Sequence, residues 1–220
     1  SSEGLETVVA FTPERLLDYA RFEREAAALG LDAALRFQFA GTVREAGTPP
    51  TGRHALEKQF GLSAPEILDI IERRFRLGVA LKGGVAEHHL QRELRADQAV
   101  VAAEQIDEDG KPDLDVHLRD GRQVLVECKN VSPQRYKDGD IKVEVQKTRS
   151  QRSDPAGRLY RPSQFDVVAA CLFSVTGLWE FRYKAASRLD LSPHFEGRIA
   201  PIQRVDETWL GTLADALASA

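Results

Sequence analysis

The residues with the most chemistry lie between Lys111 and Lys129, in the run Lys-Pro-Asp-Leu-Asp-Val-His-Leu-Arg-Asp-Gly-Arg-Gln-Val-Leu-Val-Glu-Cys-Lys. Leu114, Val116 and Leu118 alternate with Asp113, Asp115 and His117. Val124, Val126 and Cys128 alternate with Leu125, Glu127 and Lys129. A period of two sends successive side chains to opposite faces of a strand, so each segment has one apolar and one largely polar face. Arg119-Asp120-Gly121 reads as a three-residue loop with its glycine in the left-handed conformation, which pairs Leu118 with Arg122. Counting back, Val116 faces Val124, Leu114 faces Val126, Asp115 faces Leu125 and Asp113 faces Glu127. A two-residue turn would instead drive charges into the core. One sheet face therefore carries two or three carboxylates and a lysine. Carboxylates at that range repel one another, and a divalent cation relieves the repulsion. Oxygen-only ligands suit Mg2+ or Mn2+, and no Cys/His grouping points to zinc.

The flanking segments must hold this hairpin in place. Ahead of it, residues 79–95 read as a helix with Val85, Leu90 and Leu94 as apolar markers, and residues 98–106 as a strand. Behind it, residues 140–151 read as a helix despite three β-branched residues. Residues 165–174 form a strong buried strand, 179–183 a shorter one, and 208–218 a closing helix. The first 77 residues read as helical. Residues 13–29 are amphipathic behind Thr12 and Pro13, and the breaker run Thr48-Pro49-Pro50-Thr51-Gly52 follows. Residues 54–76 then give a short helix, a turn at Gly61, and a second helix capped by Ser63, an arrangement similar to a helix-turn-helix. Glu66, Asp69 and Glu72 on that second helix would repel phosphates, which favours a structural hairpin. No internal repeat appears.

Two hundred and twenty residues with 42% hydrophobic and 29% charged content exclude a disordered chain, a collagen-like repeat and a disulfide-stapled miniprotein. The formal charge is −4, yet residues 129–161 hold nine Lys/Arg against four Asp/Glu, a local +5. A concentrated basic stretch in an acidic chain suggests a local polyanion site. Cys128 and Cys171 lie in apolar runs, as free thiols of a reducing cytoplasm do. No apolar stretch approaches the ~18–20 residues that cross a bilayer, and no signal-peptide pattern opens the sequence. The chain contains no methionine, not even at position 1, so Ser1-Ser2 reads as the remnant of a tag or the edge of a fragment of a larger chain. His88 and His89 read as two surface histidines on different sides of their helix.

Pro112-Asp113 followed by Glu127-Cys128-Lys129 resembles the PD-(D/E)XK motif of the restriction-endonuclease-like nucleases. The order of elements over about residues 79–185 matches the αβββαβ core of that family. The resemblance implies an α/β fold with a mixed central sheet. It implies a nuclease-like domain at 78–220 behind a helical region at 1–77. It further implies metal-assisted hydrolysis of phosphodiester bonds by a Mg2+-dependent DNA endonuclease of the restriction or defence type, with Mn2+ able to substitute. Asp113 or Asp115, with Glu127, would hold the metal. The literal motif and the hairpin register favour Asp113, whereas related families that read Glu-Leu-Asp-Val here favour Asp115, to which the resemblance leans. Lys129 would position or help deprotonate the attacking water. Glu87, in Gly83-Gly84-Val-Ala-Glu87, would reach the metal from the first helix, and Gln146 would join the site from the second. Lys147, Arg149, Arg152, Arg158, Tyr160 and Arg161 would hold DNA, and His117 shares the polar face. The resemblance also admits a homodimer. The competing readings are a DNA repair or junction-resolving nuclease, a catalytically inert DNA-binding regulator on the same fold, and an interaction module.

Overall fold

The structure is a computed structural model and describes residues 53–147 and 156–220. The chain divides into two units, residues 1–67 and 68–220, where the sequence had placed a boundary after residue 77. The expected helix at residues 13–29 and the breaker run up to Gly52 lie outside the described residues, as do Arg149 and Arg152.

In the first unit, helix α1 spans Ala55–Phe60. His54 caps it: its imidazole accepts from the Leu56 amide, and the Glu57 carboxylate accepts from the His54 amide. Gly61, at φ 67°, ends the helix in the left-handed conformation that glycine adopts without steric cost. Ser63 and Glu66 then bond reciprocally at the start of helix α2, Ala64–Glu72, which runs across the division between the two units. Neither helix has a buried residue.

The second unit is a mixed α/β body. Helix α3, Phe75–Ala96, is longer than its apolar markers suggested. Its buried residues lie in the second half, the stripe Ala86, Leu90 and Leu94 at the i, i+4, i+8 spacing of one helical face. Strands β1 (Val100–Gln105), β2 (Leu114–Leu118) and β3 (Gln123–Arg135) follow as an antiparallel meander. The hairpin register is the one that the turn required. Leu114 pairs with Val126, Val116 with Val124 and Asp115 with Leu125, and Gly121 sits at φ 87° with its amide bonded to the Leu118 carbonyl.

Beyond the hairpin the structure departs from the expected order. Residues 141–144 form strand β4, not the start of a helix, and Val145, Gln146 and Lys147 continue outside any helix. Ile141, Val143 and Val145 alternate with Lys142 and Glu144, and β-branching with a period of two favours a strand. β3 is long enough to supply the partner: its far end pairs Val131 with Val143 and Arg135 with Ile141. β4 in turn pairs antiparallel with β7, Ile202–Val205, a strand that the sequence reading did not contain. Strand β5 is shorter than expected, Val167–Cys171, and helix α4, Phe173–Thr176, follows it. Strand β6 spans Phe181–Ala185 and the closing helix α5 only Leu213–Ala218.

β3 is the hinge of the architecture. Its near half pairs with β2 on one side and, in parallel, with β5 on the other; β5 then pairs antiparallel with β6. β5 is buried at every position, as a strand covered on both faces must be. Val167, Ala169 and Cys171 enter a core with α3 and α5, while Val168 and Ala170 enter a second core with Val131, Val143, Ile199 and Trp209. Because Glu127 pairs with Val168 and Lys129 with Ala170, the polar face of the hairpin borders the second core rather than open water.

Candidate active site

Three residues of the hairpin converge. Asp113, Glu127 and Lys129 line one cleft of about 560 Å3 together with Lys147, Tyr160 and the loop residues Glu108, Asp109, Gly110 and Lys111. Glu127 is only 2% exposed. Its Oε1 receives the Lys129 ammonium at 2.5 Å and the Tyr160 hydroxyl at 2.5 Å. Its Oε2 is buried and has no hydrogen-bond partner among the described residues. Asp113 Oδ2 accepts the Cys128 amide at 2.7 Å, which ties the carboxylate across to β3.

These contacts set the protonation states. Burial and the neighbouring Glu127 charge push the Asp113 carboxyl up to about 7, against the opposing pull of Lys129 and the Cys128 amide. Burial pulls the Lys129 ammonium down, but the charges of Glu127, Tyr160 and Asp113 outweigh it and hold it above the ordinary lysine range. Lys129 is therefore a cation at neutral pH. Burial and Glu127 likewise raise the Tyr160 hydroxyl, which stays protonated and donates.

A pH dependence follows. The Asp113 carboxyl takes up a proton more readily in the folded chain, near 7, than at its ordinary value of 3.8. The stability it contributes is complete below about pH 4 and is lost as pH rises through about 7. Metal-free protein is expected to melt at progressively lower temperature across this window, and Asp113→Asn is expected to lack that component. Thermal midpoints in EDTA from pH 4 to 8 check it; parallel curves for the two proteins refute it.

The other expected residues stand elsewhere. Asp115 does not line the cleft: Gln123 donates to its Oδ2 at 2.7 Å, and its Oδ1 lies 3.4 Å from His117 Nε2. Asp115 Oδ1, like Glu127 Oε2, is buried with no hydrogen-bond partner among the described residues, but it stands off the lining of the cleft that holds Asp113, Glu127 and Lys129. His117 is exposed beside it and is likewise absent from the cleft lining. Glu87 also stays off the lining and accepts from Gln105 Nε2 at 3.1 Å, although its charge adds to the raised Asp113 carboxyl. Gln146 forms a bridge to Leu159 rather than entering from a helix. That bridge, with the Lys147 amide bonded to the Arg158 carbonyl, places Lys147 beside Tyr160. Arg158 turns its Nε to the Lys147 carbonyl, and the Arg161 guanidinium lies near Gly197. Tyr160 is buried with its hydroxyl committed to Glu127, so the expected phosphate contact by that group is not available. His89 is not a surface histidine, since its ring stacks on Trp179 with centroids 4.3 Å apart.

Among the described residues, no three His, Cys, Asp or Glu side chains gather closely enough to hold a metal ion. Two carboxylates suffice for Mg2+, which keeps several waters and takes its remaining oxygens from a substrate. The unpartnered Glu127 Oε2 and the proton-seeking Asp113 carboxyl fit such an ion. The sequence reading missed Glu108, Asp109 and Lys111 at the mouth of the cleft, and the bond from Tyr160 to Glu127. The first three stand directly before Pro112 and were open to inspection; the last joins residues 33 positions apart.

No family model matches this sequence, and neither does any curated protein. Among solved structures the chain is similar to a bacterial homing endonuclease, I-Ssp6803I. The two are 20% identical, over 59% of this chain and 78% of that one, with a TM-score of 0.42. A likeness that low carries no argument about fold or activity.

Proposed function

We propose that the chain is a Mg2+-dependent DNA endonuclease of the PD-(D/E)XK type, serving restriction or defence. The observation that carries this reading is the convergence of Asp113, Glu127 and Lys129 in one cleft, with Glu127 Oε2 left without a partner among the described residues. The expected second core helix does not support it over residues 141–147, where the chain is a strand and an extended segment. In this reading Asp113 and Glu127 hold the divalent ion. When bound, the ion supplies Lewis acidity toward the scissile phosphate and a more acidic water. Lys129, protonated and fixed to Glu127, orients the attacking water and stabilises the developing negative charge. Its raised proton affinity argues against a role as the base. Lys147, in no ion pair with a described acid, lines the cleft and is placed to meet a backbone phosphate.

Part of the basic stretch has other duties. Arg135 bonds the Gly139 carbonyl, and Lys142 sits over the Tyr136 ring at 4.5 Å. Fewer cations are then free for DNA than the local +5 suggests.

Supercoiled plasmid is expected to be nicked or linearised with Mg2+ or Mn2+ and to stay intact in EDTA. Cleavage that persists in EDTA at the same rate would overturn the reading. Lys147→Ala is expected to flatten the salt dependence of DNA binding by about one unit of log–log slope, the value for one neutralised phosphate. A slope equal to that of the unaltered protein means that Lys147 does not face DNA.

A further inference from the structure

The two oxygens of Glu127 are treated unequally. Oε1 takes the Lys129 ammonium and the Tyr160 hydroxyl, while Oε2 takes no donor among the described residues. An ionised carboxylate is an acceptor only, with room for about four hydrogen bonds, and leaving one oxygen bare inside a protein is costly. Two charge-assisted bonds on one oxygen also lock the last torsion of the side chain, because rotation would break both. Oε2 therefore keeps a fixed place and can receive only a cation or a donor.

Tyr160 is built to do this. Its ring lies edge-on to Phe165 at 5.2 Å and belongs to the second core. Its ring is approached by two ammonium groups, Lys129 at 5.5 Å and Lys147 at 5.4 Å from the centroid. Cations near an aromatic ring face are held by its quadrupole. One anchored side chain thus touches a carboxylate through its hydroxyl and two cations through its ring. Its single hydroxyl hydrogen is spent on Glu127, so it has none to offer a phosphate.

We infer that Tyr160 is the positioning residue of the site: it holds Glu127 by Oε1 so that Oε2 is the oxygen presented to a divalent cation. The inference rests on the nuclease reading for the identity of that ion. The hydroxyl acts through Glu127 and touches neither substrate nor ion.

Calorimetric titration of metal-free protein with Mn2+ tests it, comparing the unaltered chain, Tyr160→Phe and Glu127→Gln. Tyr160→Phe keeps the ring and its packing on Phe165, and its thermal midpoint in EDTA verifies folding. Loss of such a supporting hydrogen bond is expected to weaken Mn2+ binding by about 10–100-fold. Cleavage by Tyr160→Phe is then expected to recover as Mn2+ is raised, which a general packing defect would not allow. Unchanged Mn2+ affinity in Tyr160→Phe, with Glu127→Gln unable to bind, overturns the inference and leaves the nuclease reading intact. Mn2+ binding by Glu127→Gln equal to that of the unaltered chain removes the site reading itself, and the inference with it.

Discussion

Lys129→Ala is expected to lower cleavage by at least about a hundredfold, the scale of losing a group that stabilises transition-state charge. It is also expected to destabilise the fold by about 3 kcal/mol, because it leaves a buried carboxylate without its counter-charge. The ammonium stands 2.5 Å from Glu127 Oε1, with the two side chains 19% and 2% exposed. A surface pair would lose far less on truncation. On an open sheet face, as the hairpin pattern alone would place Lys129, the change would spare folding. The second core, which borders the hairpin's polar face, overturns that. Glu127→Gln with Lys129→Met removes both charges and is expected to regain most of the stability while remaining inactive. Urea unfolding and the plasmid assay on the three variants separate the two losses. Full activity and unchanged stability in Lys129→Ala would show that the pair is not the centre of the site.

Asp113→Asn is expected to abolish cleavage and to remove the rise in melting temperature that Mn2+ produces, since an ion bound only by the folded chain stabilises it. Asp115→Asn is expected to keep most of both. Asp113 lines the cleft together with Glu127, whereas Asp115 stands off that lining and accepts from Gln123 through Oδ2. At pH 8 without metal, Asp113→Asn is expected to be more stable than the unaltered chain, because it removes a charge that burial and Glu127 both oppose. Stability lost for the sake of a ligand is a common mark of a functional carboxylate. An inactive Asp115→Asn beside an active Asp113→Asn would reverse the assignment.

These two expectations draw on different kinds of information. That Asp113 faces Glu127 was legible from the chain alone, because register depends on local facts: a period of two in Leu114–Leu118, another in residues 124–129, and Gly121 at the one position that tolerates a positive φ. Whether Asp113 or Asp115 enters the cleft was legible only as a conflict, with motif and register favouring Asp113 and the wider resemblance Asp115. Both side chains alternate with the same apolar residues, and it is Asp113, next to the 108–111 loop, that lines the cleft with that loop.

The same division runs through the fold. Residues that interact with near neighbours declared themselves: the hairpin, the helix ahead of it, and the apolar run at Val167–Cys171. Residues 141–144 did not, because a short amphipathic segment takes its conformation from its partners. Here those partners are the far end of β3 and a strand about 60 residues downstream. Tyr160 is the sharpest case. By itself the run Arg158-Leu-Tyr-Arg161 marks only a basic segment with an aromatic residue in it. Its hydroxyl meets Glu127 because the Gln146–Leu159 bridge closes the neck of the connection between β4 and β5, bringing Tyr160 back over β3. The sequence by itself determined the set of charged groups and the face of the hairpin that carries them. The tertiary structure alone decided which of them are buried, and burial is what turns an acid and a lysine on one strand into a site with fixed geometry and altered proton affinity.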